Sequence, residues 1–181
     1  MKLRSFILII LFLGGSALLA QNNKIKWYSF EEAVERSKEN PKLIFVDVYT
    51  DWCGWCKKMD KSTFVHPTIV KQMNENFYPV KFDAESSDTI RFKDYTFVNP
   101  NPDGRRSSHQ LAQALLKGRM SYPSYTFLNE KAEVITVVPG YREAQEFEKI
   151  LSYFSTNAYK SKEWKTFDAE FEGTIKKPDQ K

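Results

Sequence analysis

The chain has only two cysteines among its 181 residues, and both lie in Trp52-Cys53-Gly54-Trp55-Cys56-Lys57. They follow an apolar run, Leu43-Ile44-Phe45-Val46-Asp47-Val48-Tyr49, which suits a strand buried on both faces. A buried strand feeding a dithiol at a helix start is the arrangement that thiol–disulfide exchange needs. The first cysteine sits at the positive end of the helix dipole, which favours its thiolate, the attacking species. The second is close enough to displace a mixed disulfide. A structural staple is the weaker reading, because the benefit of a disulfide grows with the loop it closes. Zinc would need about four ligands. His66 and His109 are the only histidines and have no ligand-like spacing. No metal and no organic cofactor is expected, and both histidines read as surface or capping residues.

The N-terminus carries Lys2 and Arg4, an apolar run from Phe6 to Leu13, and small residues up to Ala20. This is the plan of a secretory signal peptide over residues 1–20, cut before Gln21. An uncleaved anchor is the alternative, although the run is short against the roughly 20 apolar residues of a membrane span. After cleavage no membrane span is expected, and the chain is placed in the periplasm or outside the cell. Net charge falls from +4 to +2 without the leader, with 25 basic and 23 acidic residues interspersed. No nucleic-acid footprint follows from that pattern, and a mature chain of about 160 residues fits one domain.

Along that domain, Ser29-Phe30-Glu31-Glu32 reads as a capping box, with Ser29 as N-cap and Glu32 reaching back. The helix it opens ends near Pro41. Further helices are predicted after the dithiol to residue 62 and over 68–76. Residues 77–83 form a strand, with Pro79 near its start or on an edge. Residues 86–106 interrupt the alternation, with a small hairpin over 89–98. Ser107 or Ser108 is the expected cap of a helix carrying Leu111, Ala112, Leu115 and Leu116. An antiparallel hairpin of 124–128 and 134–138 follows, then a helix over 143–154. Residues 158–181 form a C-terminal extension. Its aromatics, Tyr159, Trp164, Phe167 and Phe171, are expected to pack back on the domain ahead of a polar tail.

The order α, β, dithiol-helix, β, α, β, β, α over 24–157, apart from the 86–106 insertion, resembles the thioredoxin superfamily. The resemblance implies a thioredoxin-like α/β fold, a central mixed sheet flanked by helices. Residues 46–57 look like the family's active-site strand and turn. Asp47 falls where a buried acid lies behind the dithiol, and Lys81 resembles the lysine facing it. Tyr122-Pro123 matches the family's cis-proline, and Gly140 the glycine after the last strand. Export and Thr63-Phe64 are similar to secreted thioredoxin-like proteins and to the C-terminal domains of membrane thiol–disulfide interchange reductases. Trp55 departs from the thioredoxin proline.

The resemblance implies Cys53 as nucleophile and Cys56 as resolving thiol. Asp47 is a proton acceptor for Cys56 or a structural acid paired with Lys81. A cis Pro123 would present the Tyr122 backbone to an extended substrate; an ordinary trans turn proline is the alternative. Trp52 and Trp55 form an apolar collar or pack in the core, Trp52 especially. The implied function is exported protein thiol–disulfide exchange, leaning to reduction, because position 55 lacks the histidine of oxidising relatives. Its partners would be cysteine-containing proteins and a separate membrane electron donor. A non-catalytic thioredoxin-like binding module is the competing class, and peroxide reduction a weaker third.

Overall fold

The computed structural model describes residues 24–176. The signal peptide expected over 1–20 lies outside these residues. A first helix, α1 (Phe30–Glu39), precedes β1 (Leu43–Tyr49). The dithiol opens α2 (Gly54–Lys61), and α3 (Pro67–Asn76) leads into β2 (Phe77–Asp83). A hairpin of β3 (Ile90–Phe92) and β4 (Tyr95–Phe97) precedes α4 (Gln110–Leu115). Then come β5 (Ser124–Leu128), β6 (Val134–Pro139), α5 (Ala144–Ser155) and α6 (Trp164–Glu170). The central sheet has the order β2-β1-β5-β6, with β1 parallel to β2 and antiparallel to β5.

β1 therefore has a hydrogen-bonded neighbour on each side and a helical layer on each face. Its side chains alternate between those faces. Ile44, Val46 and Val48 join Phe30, Val34, Leu111 and Leu115 in one core. Leu43 and Phe45 join Met73, Phe127, Phe147 and Leu151 in the other. Asp47 shares the parity of Phe45, so the pleat aims its carboxylate at the layer containing α2. Phe45 is the hub of that second core, with ring centroids 5.4–5.8 Å from Tyr125, Phe127 and Phe147. Pro79 lies in β2, an outer strand of the sheet with one further bridge to Tyr28.

Local details correct two expectations. Ser29 Oγ accepts the Glu32 N–H at 3.0 Å, but the Glu32 carboxylate pairs with Arg36 rather than returning to the cap. Neither Ser107 nor Ser108 caps α4. Buried His109 does so, its Nδ1 accepting the Leu111 N–H at 3.0 Å while Nε2 bonds the Asp88 carbonyl at 2.9 Å. An imidazole nitrogen does the work expected of a hydroxyl, and its second nitrogen ties the insertion down. The hairpin expected in the insertion forms, as a two-stranded sheet of its own. It packs on α1 through Phe92 against Phe30, centroids 5.4 Å apart.

The extension folds back on α5. Tyr153 takes Trp164 and Phe167 at 5.3 and 5.0 Å, and Phe154 takes Tyr159 at 5.3 Å. The buried Glu148 carboxylate accepts the Thr174 N–H, the Thr174 hydroxyl and the Ile175 N–H at 2.6–3.0 Å. Burial alone would raise its pKa; these donors hold it below the ordinary value. No helix among the described residues is long and apolar enough to cross a membrane.

Candidate active site

The chain leaves β1 through the turn Thr50-Asp51-Trp52, closed by the Cys53 N–H to the Thr50 carbonyl at 3.1 Å. Cys53 is the N-cap of α2, and its Sγ accepts the Cys56 N–H at 3.0 Å. A free N–H at a helix start is ordinarily met by a Ser, Thr, Asp or Asn oxygen; here sulfur takes that place. The bond and the dipole together favour negative charge on Cys53 Sγ. Cys56 lies one turn inside, and the two sulfurs are joined as a disulfide. Cys53 is the more exposed of the two, but only at 5% against 2%.

Asp47 lies beneath this helix, fully buried, and the parallel register sets it beside Lys81. Lys81 Nζ donates to Asp47 Oδ2 at 2.8 Å and to Asp60 Oδ1 at 2.5 Å. Asp47 Oδ1 has no hydrogen-bond partner among the described residues. Burial pushes the Asp47 carboxyl up to about 6, against the pull of Lys81. The Lys81 ammonium is drawn down by burial, but Asp47 and Asp60 hold it above its ordinary value. The Trp27, Tyr49 and Phe64 rings enclose it at 4.9–5.4 Å. Tyr125, opposite Asp47 on β5, is pushed well up by burial and donates to Met59 Sδ. An acid titrating near 6, with one oxygen unengaged, can exchange a proton near neutral pH.

Aromatic pairs flank the dithiol. Trp52 is 54% exposed and Trp55 57%, so the core-packing reading of Trp52 is overturned. Trp52 meets Tyr122 edge-on at 5.7 Å, and its Nε1–H donates to Glu85 at 3.0 Å. Trp55 meets Tyr141 at 5.3 Å. The Tyr122–Pro123 bond is cis, and the Pro123 carbonyl accepts the Gly140 N–H at 2.8 Å. Gly140 has φ +89°, a conformation side chains oppose. Burial, with Glu85 and Asp83 nearby, pushes the Tyr122 hydroxyl up to about 12.

The structure thus pairs Asp47 with Lys81 and Trp52 with Tyr122, with Trp52 next to Cys53 and Trp55 next to Cys56 in the chain. Asp60, Glu85 and Tyr141 belong to the same neighbourhood and were not singled out in the sequence. Asp60 carried a readable signal, standing four residues after Cys56 on one helical face. Among the described residues, no group of three or more His, Cys, Asp or Glu side chains is placed to hold a metal ion.

Comparison with known proteins agrees with this architecture. A solved structure described as DsbH oxidoreductase superposes with TM-score 0.53 at 18% identity, covering 74% of this chain and 85% of that one. A thioredoxin-fold protein from Helicobacter pylori gives 0.57 at 16%, covering 72% and 82%. An uncharacterized protein of Caenorhabditis elegans is 40% identical over 65 residues, 35% of this chain and 9% of that protein. The matches to the first curated relatives span only about a tenth of those proteins' length. The profile of the family Thioredox_DsbH, described as a protein of unknown function, DUF255, matches residues 15–172. With its thioredoxin fold and its Cys53–Cys56 pair, the chain belongs to the Thioredox_DsbH family.

Proposed function

We propose that the chain is an exported protein thiol–disulfide oxidoreductase that works as a reductase. The observation that carries this reading is Cys53 Sγ held by the Cys56 N–H at the head of α2, above a buried acid that titrates near 6. In the reduced protein, the Cys53 thiolate attacks one sulfur of a substrate disulfide. A mixed disulfide forms, and the other substrate sulfur leaves as a thiolate. Asp47 takes the proton of Cys56, directly or through water, and Cys56 attacks Cys53 Sγ. The Cys53–Cys56 disulfide forms and the second substrate thiol departs. Two electrons pass from the dithiol to the substrate. A separate membrane protein would return them to the oxidised Cys53–Cys56 pair.

Cys56→Ser should trap the first covalent step. Attack proceeds, but the thiol that resolves the mixed disulfide is missing. Mass spectrometry of the variant should find adducts on Cys53. Adducts through Cys56 in the reciprocal variant would reverse the roles.

Direction is tested by equilibrating the couple with glutathione. Trp55 cannot stabilise the reduced thiolate by charge, as a histidine there would. The expected potential lies near that of thioredoxin, about −270 mV, rather than near the strong oxidants at about −120 mV. A value at the oxidising end would remove the reductase assignment and leave the exchange chemistry intact.

A further inference from the structure

The two ends of the 86–106 insertion close on a single indole. Glu85, just before it, accepts the Trp52 Nε1–H at 3.0 Å. Arg106, its last residue, sets its guanidinium carbon 5.5 Å from the Trp52 ring centroid. Buried Asn99 braces the base of the insertion, donating to the Glu85 carbonyl at 3.1 Å and accepting the Ser107 hydroxyl at 2.5 Å. Arg106 is held at φ 58°, a left-handed conformation that costs a non-glycine residue about 1–2 kcal/mol. Across the dithiol a second cation is placed alike. Lys58 Nζ lies 5.0 Å from the Trp55 ring and 4.8 Å from that of Tyr141.

Each exposed tryptophan beside the cysteines therefore carries a cation on its ring. Neither Arg106 nor Lys58 forms an ion pair among the described residues. A ring face attracts a cation through its quadrupole and leaves the charge and its donors available. The guanidinium fork also matches a carboxylate in geometry. Four acids stand on the Trp52 side: Glu85, engaged by the indole N–H, half-buried Asp83, and exposed Asp51 and Asp88.

We propose that Arg106 and Lys58 select acidic substrates: extended protein segments with Asp or Glu on both sides of the reacting cysteine. This names the substrate class of the site and rests on the oxidoreductase reading above. The insertion that interrupts the thioredoxin order then serves recognition, by bringing one of the two cations to the site.

The probes are two matched nine-residue peptides with serine at the cysteine position and Glu or Lys on both sides of it. Their affinities for the full chain are read from the Trp52 and Trp55 indole N–H signals. Two exposed charge pairs should make the Glu peptide bind about tenfold tighter at low salt. The ratio should shrink as the Debye length falls from about 30 Å at 0.01 M to about 8 Å at 0.15 M. The double variant Arg106→Gln, Lys58→Gln should bring it near one. Equal or reversed affinities in the parent protein, or a preference that persists in the double variant, overturn the proposal. The peptides carry no sulfur, so binding is read without exchange. Acidic preference in a protein that reduces no disulfide would sink the oxidoreductase reading and sustain this one. Reduction of a neutral disulfide without charge preference would do the reverse.

Discussion

Cys53→Ser is expected to reduce disulfide turnover by about three orders of magnitude or more, to the level of the uncatalysed reaction. A serine hydroxyl stays protonated at neutral pH, and the Cys56 N–H and the α2 dipole cannot supply the missing nucleophile. Cys56 cannot substitute for it, being almost fully enclosed one turn inside. The fold should survive, because it rests on the two cores about β1 and not on a link spanning three residues. Reduction of an insulin-like substrate, measured beside far-ultraviolet circular dichroism, checks both parts. Retained turnover with a native spectrum would remove Cys53 from the chemistry and with it the proposed mechanism.

Asp47→Asn should give opposite signs in activity and stability. The native carboxyl titrates near 6, against about 3.9 in the unfolded chain. Between those values the folded protein holds a proton that the unfolded chain has lost. Stability therefore falls as pH rises through this window, and above it the fold carries a buried carboxylate. Two pK units correspond to about 3 kcal/mol, an upper figure once the loss of one Lys81 contact is counted. Asparagine removes the buried charge, and Lys81 keeps Asp60. The variant should gain about 1–3 kcal/mol at pH 7–8 and little or nothing below pH 4, as read from urea unfolding across pH. Over the same neutral range exchange should slow by about 10²-fold, the scale of a lost general base. A stability difference independent of pH, with an unchanged pH–rate profile, would leave Asp47 as a structural acid only.

What the sequence made legible was local. The run 43–49 announced a strand buried on both faces, since only Asp47 breaks it, and the helical stripes of α1, α3 and α5 followed from their spacing. The pairing of Asp47 with Lys81 required the register of β1 on β2, which the resemblance supplied and periodicity does not. His109 read as a surface or capping residue, but the cap of α4 was given to Ser107 or Ser108, because hydroxyl and carboxylate side chains dominate that position. The insertion was visible as a break in alternation. Its return to Trp52 was not, because Glu85 and Arg106 are 21 residues apart in sequence and reach the indole only in the folded chain.

Glu148 bears on where this molecule ends as a folding unit. The α/β alternation stops near residue 157, and the segment beyond it looks dispensable by pattern. Yet every hydrogen bond to the enclosed Glu148 carboxylate comes from Thr174 and Ile175. A Cβ at Gly173 would come within 2.7 Å of that carboxylate, so the approach also depends on the smallest residue. Cutting the chain at 157 would remove all three donors and return the carboxylate to water, a loss of about 1–3 kcal/mol. The cooperative domain thus reaches about twenty residues past the repeat of strands and helices, and proteolysis that trims the extension would loosen α5 and the core beneath it.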